Sequence, residues 1–250
     1  MATTDPETAP GESARARRRP WWLVAVALVV VVAAVVTAIA LGALSGSDRP
    51  ALVDGERYGV DVSHHQGPID WVRVSHDDIA FAYIKASEGV DFTDPRFRAN
   101  WTGAGAAGIP HGAYHFFTLC APGAAQAAHF LDVLPDDPNM LPPAVDLETA
   151  NNCDARPDPD VVRRELGAFV RIVEARTGMQ VVLYVNHRLA LRLDAAGALP
   201  ARPRWTRSID QRPPAGWAIW QASGSAEVDG IDTPVDLDVA DAAWANRWGL

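Results

Sequence analysis

Hydrophobic positions follow two patterns along this chain. From Trp21 to Leu44 they form one run of 24 residues without a charge, and only Thr37 and Gly42 fall outside the apolar set. Beyond residue 57 the runs are short and bounded by Gly, Pro, Asp and Asn: 58–63, 80–86, 111–117, 142–148, 180–186, 202–206, 216–221 and 233–239. These lengths predict strands. Between them 94–107, 122–134 and 158–177 read as helices. In the last, Val161, Val162, Leu166, Phe169, Val170 and Val173 recur at helical spacing behind an acidic start at Asp158 and Asp160. Strand alternating with helix for five units, then strands with little between them, predicts an α/β fold: a parallel barrel whose last third has lost its helices.

The long run has a different meaning. As a helix it would extend about 36 Å, enough to cross a hydrocarbon core of roughly 30 Å. A cleaved signal peptide has a shorter apolar core, so one N-terminal transmembrane signal anchor is expected, with cleavage near Ala40 or Ser45 as the alternative. Arg15, Arg17, Arg18 and Arg19 precede it, which keeps the N-terminus in the cytoplasm. The expected organisation is a cytoplasmic tail at 1–20, a single pass through the plasma membrane at 21–45, a linker at 46–57 and an extracellular domain at 58–250. Secretion after cleavage is the alternative.

Charge narrows the partners. The chain carries 22 Lys and Arg against 31 Asp and Glu, a formal net charge of −9. An acidic exported domain is a poor match for nucleic acid, which rewards Lys and Arg. Lys85 is the only lysine. Within an apolar run it has either a specific task or a structural carboxylate partner. Cys120 and Cys153 follow the ends of two strands, and in an oxidising compartment a disulfide between neighbouring loops is the simplest reading. Two cysteines alone make a poor metal site, and none is expected.

Three strands carry an unusual alternation. In Val60-Asp61-Val62, Val145-Asp146-Leu147-Glu148 and Val235-Asp236-Leu237-Asp238, carboxylates occupy every second position. Successive strand side chains point to opposite faces, so the aliphatic residues face the helices and the five acids face the barrel interior. Charge there is costly unless it is used or paired, and β/α barrels keep their active sites at the C-terminal strand ends. Crowded carboxyls separate in pKa, so that one holds a proton while another stays charged. Glycoside hydrolysis needs that arrangement: an acid for the leaving oxygen and a carboxylate for the developing positive charge. Acids that merely cap loops, or a divalent-metal site, remain the other readings. Sugars stack on aromatic rings, which nominates Tyr83, Tyr114, Tyr184, Trp205 and Trp220 as the substrate-binding set.

The runs Tyr58-Gly-Val-Asp-Val-Ser-His-His-Gln-Gly-Pro-Ile-Asp-Trp71, Phe81-Ala-Tyr-Ile-Lys-Ala-Ser-Glu-Gly89, Gly108-Ile-Pro-His-Gly-Ala-Tyr-His-Phe116, Pro143-Ala-Val-Asp-Leu-Glu148 and Trp217-Ala-Ile-Trp-Gln221, followed by Val235-Asp-Leu-Asp238, resemble glycoside hydrolase family 25. These are the Chalaropsis-type and phage-endolysin lysozymes, or N-acetylmuramidases. The resemblance spans about residues 58 to 244. It implies a TIM-like (β/α)5(β)3 barrel that cleaves, with retention, the β-1,4 bond between N-acetylmuramic acid and N-acetylglucosamine in peptidoglycan. By position, Glu148 matches the general acid/base and Asp146 the residue that assists the substrate's own 2-acetamido group; Asp61 and Asp236 match the other acids of the cleft. It implies no cofactor, peptidoglycan glycan strands as partner, and a monomer. Two places depart from the family. Arg204-Trp205-Thr206-Arg207-Ser208-Ile209 keeps only the tryptophan of a usual Leu-Trp-Ile-Ala-x-Tyr, and Ala222 stands where an aromatic is frequent; both are expected in the sugar-binding wall. A non-catalytic wall-glycan binding module on the same barrel is the alternative function.

Overall fold

The computed structural model describes Val30, Val32 and residues 49–250, except 150, 151, 154–156 and 210. Eight strands close a barrel in the order β1 (Arg57–Val62), β2 (Ile79–Glu88), β4 (His111–Phe116), β5 (Ala144–Leu147), β6 (Val182–Val185), β7 (Arg204–Arg207), β8 (Ile219–Val228) and β9 (Ile231–Ala240), and β9 returns to β1. A two-residue strand, β3 (Phe92–Thr93), pairs with the end of β2. The helices α1 (Trp71–Val74), α2 (Phe97–Ala106), α3 (Gly123–Val133), α4 (Pro159–Thr177) and α5 (His187–Ala195) each precede the next barrel strand. Among the described residues no helix separates β7, β8 and β9, and α6 (Ala242–Trp248) follows the last strand. The alternation of five β/α units and three bare strands is therefore present.

One expectation needs correcting. The barrel is not wholly parallel: β9 runs antiparallel to both β8 and β1. The Asp229-Gly230 dipeptide allows a tight reversal, with Gly230 at φ 95°, and β8 and β9 form one long hairpin.

Local signals explain the elements. In α4, Asp158 accepts from the Asp160 N–H at 2.8 Å, Pro159 opens the helix, and Gly178 ends it at φ 71°. Its Val162, Leu166, Phe169, Val170 and Val173 are buried against the barrel. Their partners are the outward residues of the strands, among them Val60, Val62, Val145, Leu147, Val235 and Leu237. The inward residues build a second core from Phe81, Tyr83, Tyr184, Trp205 and Ile219, closed below by Leu141 and by Trp244 of α6. Gly59 permits this filling, since a Cβ there would come within 2.3 Å of the Phe81 ring.

The described residues from 49 to 250 form one compact unit. The described end of the linker lies against it: the Arg49 guanidinium donates to Asp77 Oδ2 at 2.7 Å and to the Glu227 carbonyl at 3.0 Å. The anchor expected at 21–45 lies outside the described residues but for Val30 and Val32, which are helical. Among the described residues no helix is long and apolar enough to cross a membrane.

Candidate active site

A cleft of about 640 Å³ opens at the C-terminal ends of the parallel strands. Asp61 comes to it from β1, Asp146 from β5, Glu148 from just beyond β5 and Asp236 from β9. Asp61 and Asp236 are directly opposed across the β1–β9 ladder. Because β9 is reversed, its earlier acid is the one near the mouth. Asp238 pairs with Gly59, one pleat deeper, and is wholly buried.

The acids form a linked set. Gln221 Nε2 donates to Asp61 Oδ2 at 2.8 Å, and the Tyr184 hydroxyl donates to Gln221 Oε1 at 3.1 Å. Trp205 Nε1 donates to Asp238 Oδ1 at 2.8 Å. Asp238 and Asp61 interact, and Asp238 Oδ2 meets no N–H or O–H donor. Burial pushes both well above the usual carboxylate range, and Asp236 adds to the rise of Asp61. Burial, then the Glu148 and Asp61 charges, raise Asp146 as well, while Lys85 opposes this. Asp236 is pushed up to about 6 by burial, with Arg207 pulling it back. The cleft thus holds protonated and ionised carboxyls side by side, as acid-assisted bond cleavage needs.

Glu148 is braced from behind. Asn152 Nδ2 donates to the Glu148 carbonyl at 3.0 Å and to the Phe117 carbonyl at 2.8 Å, and the Leu119 N–H donates to Asn152 Oδ1 at 2.7 Å. The expected disulfide between Cys120 and Cys153 is formed and joins the same two loops. Lys85 borders the cleft, but its Nζ is paired with Glu88 at 2.7 Å and sits over the Phe116 ring at 4.9 Å, which favours the structural reading. Among the described residues no group of three or more His, Cys, Asp or Glu is placed to hold a metal.

Of the five aromatic residues nominated for sugar binding, Tyr114, Tyr184 and Trp205 line the cleft. Tyr83 does not: it fills the barrel interior and donates its hydroxyl to the Pro142 carbonyl at 3.0 Å. Nor does Trp220, which points outward because Ile219 and Gln221 take the inward positions. It packs on Trp217 and donates to the Ser208 carbonyl at 2.7 Å. Ala222 belongs to that same outer cluster rather than to the sugar-binding wall. Arg207 does line the cleft.

The sequence profile of the glycosyl hydrolases family 25 matches residues 60–231. The chain belongs to glycosyl hydrolase family 25. Lysozyme M1 of Streptomyces globisporus is 34% identical over 221 residues, 81% of this chain and 74% of that protein. A family 25 glycosyl hydrolase from Bacillus anthracis superposes with a TM-score of 0.70 at 33% identity, covering 76% of this chain and 91% of that one. The bacterial lysozyme from Streptomyces coelicolor superposes with a TM-score of 0.69 at 31% identity, covering 77% and 98%. The protein is accordingly a glycoside hydrolase of the lysozyme family.

Sequence reasoning about this family 25 member assigned no role to Gln221 or Asn152. Gln221 shares its inward parity with Ile219, which could have placed it at the cleft. Nothing local marks Asn152, whose three contacts join segments distant in sequence.

Proposed function

We propose that this family 25 hydrolase is an N-acetylmuramidase that cuts the β-1,4 bond between N-acetylmuramic acid and N-acetylglucosamine, with retention. The observation that carries this reading is the pairing of Glu148 with Asp146 at the end of β5, facing the opposed acids Asp61 and Asp236 across one cleft. Asp146 Oδ1 is buried without a partner. A substrate 2-acetamido N–H donating to it stabilises its charged form and turns the acetamido oxygen toward the anomeric carbon. That oxygen attacks as the glycosidic bond breaks, and Glu148 gives its proton to the leaving oxygen. The Glu148 carboxylate then takes a proton from the water that opens the cyclic intermediate, which restores the acid. Tyr114, Tyr184 and Trp205 supply faces for the sugar rings.

The uncharged run Trp21–Leu44 behind four arginines supports a plasma-membrane anchor with the domain outside, acting on the cell's own wall. Purified peptidoglycan, given to the full-length protein and separately to intact cells carrying it, should release reducing ends in both cases. Glu148→Gln should lower that release at least about a hundredfold. Unchanged release in the variant would leave the catalytic assignment untenable and point to the glycan-binding alternative; release by purified protein but not by cells would refute the orientation.

A further inference from the structure

Among the described residues one lysine and one arginine border the cleft, and they differ. Lys85 is engaged by Glu88. Arg207 ends β7, two positions after Trp205, so both face the cleft by strand parity. Among the described residues it forms no ion pair. Gly224 adjoins it: a Cβ there would lie 3.4 Å from both Arg207 Nη2 and Asp236 Oδ1, so a larger residue would crowd the two groups. An exposed guanidinium and a carboxylate thus stand on the lining of one cleft without forming an ion pair. A guanidinium presents paired N–H donors that match a carboxylate.

We propose that Arg207 reads a carboxylate on the glycan, so that the cleft prefers strands whose muramoyl residue presents one. This rests on the muramidase reading. The carboxylate has two possible sources: the lactyl group of a muramoyl residue without its stem peptide, or the stem peptide itself. Arg207 is also the cation that pulls Asp236 back toward its ordinary range, so a ligand bound there touches the electrostatics of the acids.

The test measures binding to the full-length Glu148→Gln protein by titration calorimetry, which needs no turnover. Three soluble strand probes are used: bare strands with free lactyl carboxylates, strands with unmodified stem peptides, and strands whose stem carboxylates are all amidated. At least one carboxylate-bearing probe should bind about tenfold tighter than the amidated probe. Arg207→Gln should erase that gap, and Arg207→Lys should restore part of it. Equal binding of all three probes, no binding of any, or a gap that survives Arg207→Gln overturns the inference. Whichever carboxylate-bearing probe wins names the source. If the bare strand wins, hydrolysis of the amide between the lactyl group and the peptide must precede this enzyme. A wild-type protein that shows the preference yet releases no reducing ends would sink the muramidase reading and leave the role of Arg207 standing.

Discussion

Asp238 shows how much one side chain can hold in place. It accepts from Trp205, a face of the cleft, and interacts with Asp61, which is tied through Gln221 to Tyr184. In its protonated form it presents one acceptor and one donor, and an asparagine amide offers the same two functions. Asp238→Asn should therefore keep kcat/KM within about threefold. Asp238→Leu strands the buried indole N–H, a loss of about 1–3 kcal/mol, and should lower kcat/KM by about ten- to a hundredfold. Steady-state kinetics on both variants decides the matter: if asparagine is as damaging as leucine, Asp238 acts through its charge and not as a protonated carboxyl. The sequence made the inward direction of Asp238 legible by its alternation with Val235, Leu237 and Val239. Its depth was not legible, because depth depends on the direction in which β9 runs.

Among the elements, the barrel strands could be read because each pairs a helix-facing aliphatic row with an inward row, and turn residues bound them. The strands predicted at 216–221 and 233–239 are shorter than β8 and β9 and carry no hairpin signal. Ala222-Ser-Gly-Ser-Ala-Glu227 has the small polar composition of a loop, yet β8 continues to Val228 and the reversal falls at Asp229-Gly230. α5, expected only as the fifth helix of the alternation, has no bounds legible in the sequence, since among its described side chains only Leu189 and Leu193 are buried apolar anchors. The disulfide was legible as a pair of cysteines after two strands; that it braces the loop behind Glu148 was not. Closing a loop with a sequence separation of 33 should stabilise the fold by about 4 kcal/mol in the chain-entropy account. The Cys120→Ser/Cys153→Ser double variant should consequently melt several degrees lower in scanning calorimetry. An unchanged midpoint would show that the loops hold without it.

For the whole molecule, the buried acids set the response of stability to pH. Asp61, Asp146 and Asp238 are raised well above their ordinary values and Asp236 to about 6, so the folded state keeps protons that the unfolded chain releases above about pH 4. Each such group costs stability at neutral pH and returns it as pH falls through its folded value. His115 acts oppositely: buried and lowered to about 3, it stays neutral while the unfolded imidazole charges below about pH 6.5, costing about 1.4 kcal/mol per pH unit. Several carboxyls outweigh one imidazole. Glu165 and Glu174, lowered by hydrogen bonds from Gly123 and Arg202, lose their contribution only as pH falls below the ordinary glutamate range. Thermal midpoints should therefore rise from pH 7.5 to pH 5, and a falling midpoint over that interval would contradict the buried protons.

The floor of the barrel carries one more consequence. Phe81, Leu141 and Trp244 stopper the interior below the acids, so the site is a cup and not a pipe. The glycan strand of the proposed reaction could not be threaded through it and would be laid across the rim. Under the proposed muramidase reading it would need no free chain end to begin, so a cross-linked sheet, which offers few ends, would be open to attack at interior bonds.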